Sequence, residues 1–156
     1  AFAQALPVAW AFDDVAELAP GVRLVHTGGH TPGHTVLHWD DAPRGRRLLA
    51  CGNAFKYTLD DAGLATSVST HKAFDADIPL THGELRGYTA ALDGLTADVV
   101  VTPWEVVRGN GLAAARALLA LQAASPRPFT DRVLVDSDGR PTGERVPERL
   151  WRARHG

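Results

Sequence analysis

Val25-His26-Thr27-Gly28-Gly29-His30-Thr31-Pro32-Gly33-His34-Thr35 places three of the seven histidines of this 156-residue chain in one glycine-rich turn between two apolar runs. Imidazole is the commonest metal-ligating side chain and the usual proton carrier near neutral pH. Glycine lets the backbone turn tightly and brings side chains together. The turn is therefore the strongest candidate for chemistry in the chain. The simpler alternative is that its histidines cap backbone groups.

On the N-terminal side, Gly21 to Thr27 alternates, with Val22, Leu24 and His26 on one face and Arg23 and Val25 on the other. That is the period of a strand, and it places His26 on a buried stripe. Phe12 to Leu18 reads as a short strand or turn before Pro20-Gly21, and Ala1 to Trp10 is apolar without clear period. On the C-terminal side, Thr35 to Trp39 reads as a second strand, Asp40 to Gly45 as a loop, and Arg47 to Cys51 as a central third strand ending at Gly52-Asn53.

Residues 54–81 are polar and broken by Gly63 and Pro79, with Leu64 to Ser69 as a short strand. Long irregular segments often form functional rims, and His71 and His82 fall in or beside this one. Thr81-His82-Gly83-Glu84 predicts a capping box opening a helix with Leu85, Tyr88, Leu92 and Leu95 on its apolar face. Asp98 to Thr102 reads as a buried strand with Pro103-Trp104 at its end, and Gly111 to Ala124 as a helix stopped by Ser125-Pro126. Arg132 to Asp136 and the Asp138-Gly139 turn predict a peripheral strand and hairpin, and Val146 to Arg152 a terminal helix. The expected fold class is α+β, a mixed sheet with flanking helices in one domain over 1–156, with 126–156 as a peripheral C-terminal extension.

Composition narrows the functional classes. A hydrophobic share of 45% with 22% charged residues is that of a globular domain. A net charge of -2 leaves no basic field for a phosphate backbone, so nucleic acid is not an expected partner. No apolar run approaches the roughly 20 residues that a membrane helix needs. Cys51 is the sole cysteine, which excludes an internal disulfide and fits a reducing, cytoplasmic setting. The chain contains no methionine, and its apolar opening reads as the continuation of something longer.

The strand over 21–27, the turn Gly29-His30-Thr31-Pro32-Gly33-His34, the strand ending Cys51-Gly52-Asn53, the helix from Glu84 and the strand Asp98 to Pro103 together resemble the later half of the metallo-β-lactamase fold. The resemblance covers roughly residues 20–125 and implies half of an αβ/βα sandwich. Zinc in such sites takes nitrogen and oxygen ligands and lowers the pKa of a bound water towards 7 for attack on an ester, thioester, lactone or amide. His30 matches the family histidine that ligates the first metal. His34 matches a non-ligand position, in a supporting role beside the catalytic site.

Two positions depart from the family pattern. Asn53 stands where the family has a bridging aspartate, and offers a neutral oxygen that would ligate weakly or orient a bound water. Trp104 stands where a histidine would complete a second metal site, and its indole N–H only donates. The His-x-His-x-Asp-His loop of the family's first half occurs nowhere in the chain. The resemblance thus implies one zinc ion at most, held only with residues from a complementing N-terminal half.

Two readings of function follow. One is a hydrolase of a small-molecule substrate, completed by that half. The other is a degenerate, non-catalytic member that binds a ligand or a partner, which includes a second copy of the chain. A metal-independent enzyme using the histidines as acid and base is a third, without a nucleophile and base in sequence proximity. Cys51 is read as a small buried hydrophobe rather than a nucleophile.

Overall fold

A computed structural model describes residues 11–70, 72 and 78–155. The apolar opening Ala1 to Trp10 and His71 lie outside the described residues. Within them the chain is α+β, with a six-stranded mixed sheet and a four-stranded antiparallel sheet.

The first sheet is built mostly by neighbours in sequence. β1 (Val15–Ala19), β2 (Val22–His26), β3 (Thr35–Ala42) and β4 (Arg46–Ala50) pair antiparallel in turn. β4 is central, as expected, because β7 (Val99–Val101) joins it in parallel and β8 (Val106–Arg108) closes the far edge. Between β4 and β7 the chain makes a 3-10 turn over Gly52–Ala54 and runs through β5 (Lys56–Leu59), β6 (Ala65–Ser69) and α1 (His82–Leu92). The parallel pair leaves two strand ends side by side: Cys51-Gly52-Asn53 after β4 and Thr102-Pro103-Trp104 after β7.

α1 begins where the sequence predicts. The Glu84 N–H donates to Thr81 Oγ1 at 3.2 Å and the Thr81 N–H to Glu84 Oε2 at 2.7 Å, so each end of the box satisfies a free backbone donor. Leu85, Tyr88 and Leu92 are buried along one helical face, whereas Leu95 lies past the helix end. α2 (Gly111–Ala124) has the predicted bounds.

Three expectations need correction. β3 continues through Asp40, Asp41 and Ala42, which read as loop; Arg23 on β2 pairs with Asp40 at 3.1 Å, and the Asp40 N–H donates to the Gly21 carbonyl. The residue of β2 in the core is Val25, not the Leu24 and His26 stripe, since Arg23 on the Val25 face reaches the rim and binds Asp40. Arg132 to Asp136 is not peripheral. β9 (Arg132–Val135) lies inside the second sheet between β6 and β10 (Pro141–Val146), with Arg132 buried against Glu148 at the start of α3 (Glu148–His155). The C-terminal segment thus completes that sheet rather than hanging from it.

Strand register sorts the first sheet into two apolar faces. Val25, Val36, Leu49, Val100 and Val107 enter the core with α1, α2 and the second sheet. On the opposite face, one row crosses five strands through Leu24, Leu37, Ala50, Val101 and Val106. A second row holds Val22, Trp39, Leu48 and Val99. Val99 is buried, seven of the other eight are half-buried, and Val106 is 53% exposed.

Candidate functional site

The glycine turn closes by backbone hydrogen bonds from the Thr27 and Gly28 N–H groups to the His34 carbonyl, at 2.9 and 3.1 Å. Gly28 has φ of 65°, a conformation side chains resist. Gly29 is required for another reason: a Cβ there would lie 1.6 Å from Cε2 of Tyr88. The missing side chain lets α1 seat its tyrosine against the turn, where the Tyr88 hydroxyl accepts from the His30 N–H at 3.1 Å.

His30 and His34 come together as the sequence implies, with ring centroids 5.7 Å apart and edge-on. His30 is 5% exposed. His34 is held on both sides by the chain itself: Nδ1 lies 2.6 Å from Thr27 Oγ1 and 3.4 Å from the Tyr88 hydroxyl. Nε2 faces the turn after β4, where a Cβ on Gly52 would lie 3.4 Å away. Burial, with the His30 ring second, lowers the His34 pKa to about 4, and a hydrogen bond to the Cys51 backbone opposes part of that shift. The ring thus sits between Thr27 Oγ1, whose hydroxyl donates to the His34 carbonyl at 3.0 Å, and the Cys51 backbone. His34 therefore ties the turn to the end of β4.

The remaining expected residues lie around this pair. Asn53 sits half-buried in the 3-10 turn, directly after the Gly52 that touches His34. His26 is spent on the turn, its Nε2 2.7 Å from the Pro32 carbonyl. His82 is far along the chain and binds the Ser125 carbonyl at 3.0 Å. Cys51 is fully buried, and burial pushes its thiol pKa up to about 12, so it is an inert core side chain. Trp104 is on the β7–β8 hairpin and 56% exposed.

The donor set does not by itself fit zinc. A catalytic zinc takes three protein ligands and a water, and among the described residues no three His, Cys, Asp or Glu side chains converge on one point. A cavity of about 510 Å³ opens beside the turn, between Val25, His26 and Thr27 on one side and Gly87, Ala90 and Ala91 of α1 on the other.

Sequence reading missed Tyr88 and Thr27 as parts of the site. Tyr88 carried only the signal of an apolar helix position, and Thr27 only that of a strand end; the fold gives both their roles. No helix among the described residues is long and apolar enough to cross a membrane. Comparison with family models, curated proteins and solved structures finds no match for the chain.

Proposed function

We propose that the chain is the later half of a metallo-β-lactamase-like hydrolase, which brings His30 to a metal site whose other ligands come from a complementing first half. The observation that carries this reading is the second apolar face of the first sheet. Eight of the nine residues in its two rows are only half-buried or exposed, and such a surface calls for a covering layer. A second sheet laid on it would meet the strand ends that carry the His30 turn and Asn53.

The residue chemistry agrees with this division of labour. His30 would supply the metal ligand, His34 supports the turn that carries it, and Asn53, at the adjoining strand end, would orient a water or substrate oxygen. Among the described residues the converging donors are too few for zinc, and they supply no catalytic step alone. Elemental analysis of the full natural gene product tests the proposal. The expected result is about one zinc per assembled unit, lost in His30→Ala while the circular dichroism spectrum is retained. A protein that stays metal-free after purification from zinc-supplemented culture overturns it.

A second reading, a non-catalytic ligand-binding module, is favoured by one observation. Trp104 replaces a metal-site histidine of the resembled family and stands exposed at the mouth of a cleft with Lys56 against its ring. Chelator-insensitive thermal stabilisation by a small molecule, with no hydrolytic activity in the metal-loaded protein, would select this reading over the first.

A further inference from the structure

The cleft under Trp104 shares no lining residue with the histidine turn, and what it holds does not depend on whether His30 takes a metal. Its volume is about 230 Å³, and it is walled by Lys56, Trp104, Glu105, Arg132, Glu148 and Trp151. Each tryptophan faces a cation: Lys56 Nζ lies 5.1 Å from the Trp104 ring centre, and the Arg132 guanidinium carbon 5.2 Å from that of Trp151.

The charges are unequally satisfied. Glu148 accepts from Arg132 at 3.2 and 3.3 Å, and Arg152 approaches its Oε1 at 3.5 Å. Arg132 also donates to Thr58 Oγ1 and Ser67 Oγ, so it is fully engaged. The Glu105 carboxylate accepts the Thr102 hydroxyl. Lys56 is the exception: its ammonium forms no ion pair or hydrogen bond with any described residue and rests only on the indole. A cation–π contact at such an exposed site is far weaker than a charge-assisted hydrogen bond to an oxyanion. Burial, with the Arg152 charge second, pulls the Lys56 pKa down, and the Glu148 and Glu105 carboxylates oppose part of that shift.

The size and the walls select the ligand. A cavity of roughly 150 Å³ takes a benzene ring, so about 230 Å³ takes one ring and a small acidic group. We propose that this cleft binds a single-ring aromatic carboxylate, its ring against the Trp104 indole and its carboxylate on Lys56 Nζ. The Arg132–Glu148 pair forms the floor, closed to the ligand because its bonds are already made.

Titration of benzoate into the full chain, with chelator present and tryptophan fluorescence and calorimetry as readouts, tests this. Saturable binding is expected, weakened about tenfold or more in Lys56→Gln and in Trp104→Ala, and retained in Lys56→Arg. Benzamide, which keeps the ring and loses the charge, and acetate, which keeps the charge and loses the ring, are both expected to bind at least about tenfold more weakly than benzoate. Unchanged melting temperatures in the variants separate loss of binding from loss of fold. The proposal is overturned by the absence of saturable binding up to about 10 mM, by benzamide or acetate binding as well as benzoate, or by full affinity in Lys56→Gln. Because no metal is present, each outcome leaves the His30 reading to its own test.

Discussion

The histidine turn and the tryptophan cleft lie at the same end of the first sheet and differ in how their polar groups are used. In the turn, the rings of His26 and His34 are bonded to the Pro32 carbonyl, Thr27 and Tyr88. In the cleft, the Lys56 ammonium rests on an indole and forms no ion pair or hydrogen bond with the described residues. The segment most conspicuous as sequence is thus the one most occupied with its own architecture. The group available to a ligand is an ordinary lysine in a strand that the sequence hardly announces. Residue type marks where chemistry is conceivable, and bonding state marks where it remains free.

Four predictions can break or sharpen this contrast. Gly29→Ala acts on the turn and should have a large effect, because its Cβ would enter the Tyr88 ring. A loss of about 3 kcal/mol or more is expected in urea unfolding, and near-wild-type stability would show that the Tyr88 contact is not what holds the turn. The floor of the cleft comes next. Arg132→Met or Glu148→Leu alone leaves a buried charge without its partner, at a cost of about 3–5 kcal/mol. The double substitution should recover much of that loss, and a double variant no better than the worse single would refute the pairing.

The third prediction concerns pH. His34 has a folded pKa of about 4 against an ordinary value near 6.5. Between these values the unfolded chain binds the proton more readily, so the metal-free protein should lose stability as pH falls from 6.5 to 4 and regain none of it below. Allowing for the partial exposure of the ring, the loss is on the order of 1–2 kcal/mol. It should be smaller in His34→Asn, compared by thermal melts across that range; an identical slope would mean that the ring is not held neutral. The smallest effect is expected at the cleft's mouth. Trp104→Ala should change stability by no more than about 0.5 kcal/mol, while removing the wall that a ligand would use.

Legibility in the sequence followed the range of the interactions. The capping box at Thr81 and Glu84 and the α2 bounds were readable because a cap and a helix stop are settled within a few residues. β5 and β8 were not read at all. Each is short and follows a turn, and each is a strand only because β6 and β7 supply partners. β9 was misplaced at the periphery for the same reason. Its inner position depends on β6, more than sixty residues earlier, and on the buried pairing of Arg132 with Glu148.

The candidate site divides in the same way. The glycine spacing alone determined that His30 and His34 would share a turn, since neither residue can move far from the other along so short a loop. Their different roles came from tertiary structure: Tyr88, on α1, and the Cys51 carbonyl, at the end of β4, approach His34 and occupy it. The two-faced sheet is also a joint product. Alternation in each strand supplied the apolar residues, whereas register across five strands aligned Leu24, Leu37, Ala50, Val101 and Val106 into one surface. The sequence by itself determined which local elements form and where histidines cluster, because those depend on neighbours in the chain. Only the fold decided how each of these polar groups is bonded and which apolar residues align on one face, because that depends on groups far apart in the chain meeting in space.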